Sequence, residues 1–316
     1  MTAADLSHTL TTMRTAVLLL SIAASLPCLA ELKSGPPLPY RVVENWAQLP
    51  NGWNFGECSG VDVDKNDNVW VFNRGAHPVM QFDKNGKLLQ AWTEVPVKSS
   101  HGIRVDADGN IWTIDVEAHR IVKFTPQGKV MMMIGGVGGA PGKEDSKDAF
   151  NRPTDVIFAP NGDFFISDGY VNSRVIKFTK DGDYLTQWGK KGTNDGEFNL
   201  VHDVALDSHG RLYVADRNNQ RVQVFDQTGQ FIAKWTDLGS PWGLYYVGRE
   251  NALYMCDGLN DRILKLNTDG QIQGVLGSHG KIPGKLDFPH NLAVDSTGAI
   301  YVAEIKNWRV QKFVKR

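Results

Sequence analysis

Three of the eight histidines in this chain open near-copies of one motif. His101 begins "HGIRVDADGNIWTIDV", His202 begins "HDVALDSHGRLYVADR" and His290 begins "HNLAVDSTGAIYVAEI". Imidazole is a common neutral metal ligand and carries protons near neutral pH, so its recurrence in one motif asks whether the three rings meet. Arg217 closes the second of these copies, and Arg74 closes a related one, "SGVDVDKNDNVWVFNR", which starts at Ser59. Guanidinium groups hold carboxylates in a planar fork. Tyr170 stands in "SDGYVNSR", one residue longer than its relatives between the aspartate and the arginine. Metal ligation, anion binding and proton transfer are therefore all open to these side chains, provided the fold brings them together.

The elements that must position them repeat along the chain. Six segments, starting at Ser59, His101, Thr154, His202, Trp242 and His290, each read as a strand, a turn containing Asp, Asn or Gly, and a second strand. A third strand-like run follows, as in "RIVKFTPQGK" and "RVIKFTKDGD", and a fourth closes most units, as in "YLTQWG" and "FIAKWT". Four short strands at a period of 40 to 53 residues describe an all-β, six-bladed β-propeller. The last unit stops at "RVQKFVKR", one strand short, and residues 40–48, "YRVVENWAQ", can supply the missing strand and close the ring. The recurring strand pattern resembles the NHL repeat.

Equivalent repeat positions occupy equivalent places around a propeller axis. The first column then holds Ser59, His101, Thr154, His202, Trp242 and His290, with histidine in every second blade. Alternate blades are about a third of a turn apart, so three imidazoles converge on one axial point and leave a fourth position open, as in a catalytic zinc site. A single histidine at a strand end more often bonds a loop carbonyl, which is the reading for His77, His119, His209 and His279. Strict alternation sets the three apart.

Arg74 in blade 1 and Arg217 in blade 4 share a column on opposite sides of the ring. They either pair with nearby acidic loop residues or receive an anionic substrate. Arg120, Arg174, Arg221, Arg262 and Arg309 recur at one repeat position and read as structural, bridging blades. The extra residue in blade 3 brings Tyr170 to the channel mouth, where it either packs like most loop tyrosines or serves as a base.

Composition narrows the function classes. The 316 residues are 41% hydrophobic and 22% charged with a net charge of −1, so nothing favours nucleic acid or an anionic membrane surface. Arg14 precedes an apolar run at 16–26 and then "PCLA", which reads as a signal peptide over 1–30 followed by one propeller domain over 31–316. That run is short for a membrane span, so the expected mature protein is exported to the periplasm or the extracellular space without a transmembrane segment. Cys58 and Cys256 are too few and too far apart for a disulfide framework or a metal motif.

Together these residues resemble the peptidyl-α-hydroxyglycine α-amidating lyase family over essentially the whole mature chain. The resemblance is carried by "VFNRGAH", "HGIRVDADGNIWTIDV", "FNRPTDV", "SDGYVNSR", "VHDVALD", "VADRNNQR" and "FPHNLAVD". It implies zinc on His101, His202 and His290, a catalytic Tyr170 and active-site arginines at Arg74 and Arg217. In the implied reaction a carbinolamide N–C bond breaks to give an amide and glyoxylate. Tyr170 beside Arg74 takes the hydroxyl proton, Arg217 holds the carboxylate, and a separate hydroxylase supplies the substrate. It also implies a structural calcium on the main-chain carbonyls of Val61 and Ile103 and on the residue after the last histidine.

The sequence departs from the family at several of these positions. Asn291 replaces the calcium-binding aspartate, which weakens the implied site. Phe288 replaces a methionine among the substrate contacts, and Phe150, Val171, Tyr213 and Val224 replace the disulfide cysteines of animal members. Two other readings stand beside the lyase. One is a non-catalytic NHL propeller that binds a protein or carbohydrate partner. The other is a metal-dependent propeller hydrolase of the lactonase type, whose usual acidic ligands the first column lacks.

Overall fold

The computed structural model describes residues 32–95 and 97–316; the expected signal peptide lies outside them. Six four-stranded antiparallel sheets stand around one axis. Blade 1 is β2 (Cys58–Val63), β3 (Val69–Asn73), β4 (Val79–Phe82) and β5 (Leu88–Trp92). Blade 2 is β6 (Ser100–Val105), β7 (Ile111–Asp115), β8 (Arg120–Phe124) and β9 (Val130–Gly135). Blade 3 runs through β10 (Pro153–Phe158), β11 (Phe164–Asp168), β12 (Arg174–Phe178) and β13 (Tyr184–Trp188). Blade 4 has β14 (Val201–Leu206), β15 (Leu212–Asp216), β16 (Arg221–Phe225) and β17 (Phe231–Trp235). Blade 5 has β18 (Pro241–Val247), β19 (Ala252–Asp257), β20 (Arg262–Asn267) and β21 (Ile272–Leu276).

Blade 6 takes β22 (Pro289–Val294), β23 (Ile300–Glu304) and β24 (Arg309–Lys315) from one end of the chain. Its fourth strand is β1 (Tyr40–Val43) from the other end, with Tyr40 opposite Lys315 and Val43 opposite Lys312. The expected closure therefore uses the first four residues of 40–48. Innermost strands touch in sequence around the ring, and β22 meets β2 to complete it. Closure gives β24 its outer neighbour, so blade 6 has four strands like the other five.

Hydrophobic alternation explains why these segments are strands. Residues on both faces of the inner strands are buried, because each blade packs against two neighbours. Between blades 1 and 2 the filling is Trp70, Phe72, Trp92, Ile103, Ile111 and Phe124. Each such fully buried side chain contributes roughly 1.5–3 kcal/mol. Cys58 and Cys256 are free and buried within this packing. Tyr213 and Val224, two of the positions where the resemblance implies cysteine, face each other as a buried cross-strand pair of β15 and β16.

The turn aspartate of the repeat works locally. Asp106 Oδ1 accepts the N–H groups of Asp108 and Asn110, and its Oδ2 takes Trp112 Nε1. Gly109 then adopts φ 87°, open to glycine at little cost. The recurring arginines are structural, as expected, but each pairs within its own blade. Arg174 binds Asp168 at 2.9 Å and the carbonyls of Glu144, Ser146 and Ala149, pinning the connection that arrives from blade 2. Arg221 with Asp216 and Arg309 with Glu304 repeat the clamp.

Asp62 lies on the axis near the end of β2, accepting the N–H groups of Val63 and Val105, both at 2.8 Å. Burial pushes its carboxyl up to about 6, against the opposing pull of Arg104 and these hydrogen bonds. A raised native pKa means the folded chain holds this proton more tightly than the unfolded one. The associated stability is complete below about pH 4 and is lost as pH rises through about 6. Urea unfolding of wild type and Asp62→Asn between pH 4 and 8 should show the variant gaining roughly 2–3 kcal/mol on the wild type across that range. Parallel stability curves would refute this assignment.

Candidate active site at the ring axis

His101, His202 and His290 stand on β6, β14 and β22, at the same end of three alternate inner strands. Their ring centroids form a nearly equilateral triangle with sides of 4.7, 4.7 and 4.8 Å. All three are buried, and one nitrogen from each lies within 4.8 Å of the others.

The remaining three residues of the first column orient them. His101 Nδ1 meets the carbonyl of Thr154 at 2.7 Å, His202 Nδ1 that of Trp242 at 2.7 Å, and His290 Nδ1 that of Ser59 at 2.6 Å. A carbonyl can only accept, so each Nδ1 carries the hydrogen and each Nε2 keeps its lone pair. Each histidine is thus held by the next blade. Burial, with the neighbouring rings and arginines, holds His101 and His202 well below the usual imidazole range, and burial brings His290 down to about 3. Three neutral, preoriented Nε2 atoms are a donor set for a tetrahedral metal with one open position.

Tyr170 caps this triangle. Its hydroxyl lies 3.3 Å from His101 Nε2 and 3.4 Å from His202 Nε2. It reaches the axis from the loop between β11 and β12, where its N–H bonds the Arg152 carbonyl at 3.3 Å. The Arg217 guanidinium lies 5.5 Å from the Tyr170 ring and 4.4 Å from the Trp242 ring. Burial lowers the Arg217 pKa, and Tyr170 opposes the shift. Among the described residues Arg217 has no carboxylate partner; its Nε donates to the amide oxygen of Asn218 at 3.2 Å, and its guanidinium also interacts with Tyr170. Arg74 differs, since Glu57 pairs with it and its Nε reaches the Ser100 carbonyl at 3.3 Å. Arg217 and Arg152 flank the Tyr170 ring, and Arg74 acts on His101 and His290 through its charge.

Phe288 packs against Trp242 at 4.4 Å at the channel mouth, with Lys306 over its other side. Val61 and Ile103 are buried on β2 and β6 below the histidines. Asn291 is buried as well, with both halves of its amide engaged. Its oxygen accepts the Val61 N–H at 3.2 Å and its nitrogen donates to Asp203 at 3.1 Å.

Sequence reasoning missed Trp242 and Arg152 as site residues. Trp242 stood in the first column, and its alternation with the histidines was the available signal. Arg152 adopts φ 63° before Pro153 and pairs with Glu117, a backbone state no local motif announces. A separate possible ligand group, Asp261, His279 and Asp287, lies off the axis with Lys306 3.7 Å from Asp287. A hollow of about 740 Å³ opens among the turns at the other ends of the inner strands, around Asp106, Pro160 and Asp207.

The NHL repeat model matches residues 101–124 and 198–225, the units containing His101 and His202. NHL repeat-containing protein 3 of Homo sapiens is 31% identical over 300 residues, covering 87% of this chain and 84% of its own. A probable peptidyl-α-hydroxyglycine α-amidating lyase of Caenorhabditis elegans is 26% identical over 268 residues, covering 79% of this chain and 62% of its own. Among solved structures, a streptogramin B lyase superposes with a TM-score of 0.64 at 15% identity, covering 88% of this chain and 98% of that one, which is a likeness of fold.

The orientation of the rings makes a spectroscopic prediction. Nitrogen-15 imidazole spectra of metal-free protein should show three Nδ1–H tautomers that do not titrate between pH 8 and 5. An axial histidine that protonates above pH 5 would contradict the buried, carbonyl-bound arrangement.

Proposed function

The chain belongs to the NHL-repeat β-propeller family, and on that premise we propose that it is a zinc-dependent carbon–nitrogen lyase. Its substrate is an N-acyl- or peptidyl-α-hydroxyglycine and its products are the corresponding amide and glyoxylate. The observation that carries the reading is the Tyr170 hydroxyl lying over the His101 and His202 Nε2 atoms, beside Arg217, which has no acidic partner among the described residues. Relatives named as amidating lyases support the reaction class.

His101, His202 and His290 would hold zinc through Nε2. The neutral, carbonyl-fixed imidazoles suit that ion. When bound, it supplies Lewis acidity toward a substrate oxygen.

The chain's own groups account for the rest. Arg217, stacked on Trp242 and partly withdrawn from water, receives the substrate carboxylate in a bidentate fork. That contact sets the hydroxyl-bearing carbon near Tyr170 Oη. With Tyr170 in its phenolate form, Oη takes the hydroxyl proton, and the released electron pair forms the carbonyl of glyoxylate. The C–N pair passes to the amide nitrogen, which takes the proton back and leaves as the neutral amide. Atoms and electrons balance without an oxidant or reductant. Arg74, already paired with Glu57, draws anionic substrate toward the axis. Because the reaction consumes a carbinolamide, a separate hydroxylation must supply it.

Glyoxylate release from N-benzoyl-α-hydroxyglycine by zinc-loaded protein tests the reading. Tyr170→Phe should lower kcat by about 100-fold or more with little change in KM. Arg217→Lys should chiefly raise KM, by about tenfold or more, through loss of the planar fork. His202→Ala should lose both stoichiometric zinc and activity. Zinc-loaded wild type that releases no glyoxylate above the uncatalysed rate would overturn the lyase assignment.

A further inference from the structure

One residue below the histidines, the six inner strands carry Gly60, Gly102, Asp155, Asp203, Gly243 and Asn291. The glycines have a steric reason. A Cβ on Gly102 would come within 2.7 Å of the Thr154 carbonyl oxygen and 2.8 Å of Asp155 Oδ1, and one on Gly243 within 2.9 Å of Asn291 Cα. The inner strands therefore crowd together here, and the polar side chains of the layer meet on the axis with almost no access to water. Asp155 and Asp203 are only 1% and 3% exposed. Burial and the neighbouring Asp155 push the Asp203 carboxyl well up, and a cation placed between the two acids opposes that shift.

Arg104 supplies it from two residues further along β6. Its Nε lies 3.1 Å from each oxygen of Asp155, and its Nη2 lies 2.7 Å from Asp155 Oδ2. The same Nη2 reaches Asp203 Oδ1 at 2.9 Å and the Leu244 carbonyl at 3.2 Å. Asn291 Nδ2 takes the other oxygen of Asp203, and Asn291 Oδ1 takes the Val61 N–H. All five side-chain oxygens of the layer thus already accept an N–H. Blades 1 to 6 are joined through this one guanidinium and the amide beside it.

We infer that the guanidinium of Arg104 is the axial cation of this propeller, in the role the family resemblance assigns to calcium, and that the ring takes no calcium at Val61, Ile103 and Asn291. Calcium takes about six to eight oxygen ligands at about 2.3–2.6 Å and draws its affinity from carboxylate charge. Asn291 brings no charge, and its oxygen is occupied. An ion entering the layer would have to displace Arg104 from both aspartates and leave a buried guanidinium without partners. The inference concerns the structural axis and does not depend on the lyase reading.

Titration of calcium chloride into wild-type protein in calcium-free buffer, followed by calorimetry and thermal melting, is the test. Wild type should show no saturable binding up to about millimolar calcium, the range of weak extracellular sites, and a melting temperature unchanged within about 1 °C. Arg104→Met keeps the bulk and frees Asp155 and Asp203. It should melt lower without calcium and recover much of that loss when calcium is added. Wild type that binds one calcium per chain and melts several degrees higher for it would overturn the inference. So would Arg104→Met melting at the wild-type temperature without calcium. Should the variant not fold, the wild-type titration decides the matter alone.

Discussion

Three hydrogen bonds between neighbouring inner strands set the geometry on which the site depends. Each runs from a histidine Nδ1 to the main-chain carbonyl of the next blade's first-column residue, at 2.6 to 2.7 Å. A main-chain carbonyl has no rotamer, so the ring it holds has one orientation and one tautomer. The bond from His290 to Ser59 also spans the point where the chain closes on itself. The triangle is therefore only as regular as the closure, and the β1–β24 pairing is part of the site although it lies on the outer rim. The acid–arginine clamps serve the same end by holding each incoming connection at a fixed depth, so that the six inner strands stay in phase.

Charge is distributed in layers along the axis. At the mouth, the histidines are neutral and the arginines are positive. Carboxylate ligands in the first column would pair with Arg217, leaving it nothing to offer a substrate. Neutral ligands let it remain stacked on Trp242 and without an acid. One layer deeper the signs reverse, with Asp155 and Asp203 gathered around Arg104. Keeping the acids one residue below the histidines separates structural charge from the charges that face a ligand. The Arg104 layer sits in low dielectric, where a misplaced charge costs several kcal/mol, whereas Arg74 and Arg152 at the mouth are partly open to water.

The mouth itself is built from residues of different blades whose backbones are held in uncommon states. Arg152 and Phe288 both adopt left-handed φ values, 63° each, immediately before the proline that begins β10 or β22. These conformations turn Arg152 toward Tyr170 and Phe288 toward Trp242. Such backbone strain is held by the surrounding structure and is often found where a ligand must be gripped. Phe288 and Trp242 form the apolar wall of the mouth, and Arg217 stands beside them, with the Arg152–Glu117 and Arg74–Glu57 pairs also at the mouth.

Much of this was legible in the sequence because a propeller converts repeat position into place around an axis. The strand–turn–strand repeat, the missing last strand and the alternation of His101, His202 and His290 are all periodic, and periodicity survives without coordinates. The column of recurring arginines was legible for the same reason. Which partner each side chain takes was not, because those choices are made between residues tens to hundreds of positions apart. Only the folded ring decided that Thr154, Trp242 and Ser59 orient the histidines through carbonyls, which every residue possesses and no motif can mark. It likewise placed Arg217 and Arg152 against the Tyr170 ring, and put Arg104 on the axis between Asp155 and Asp203.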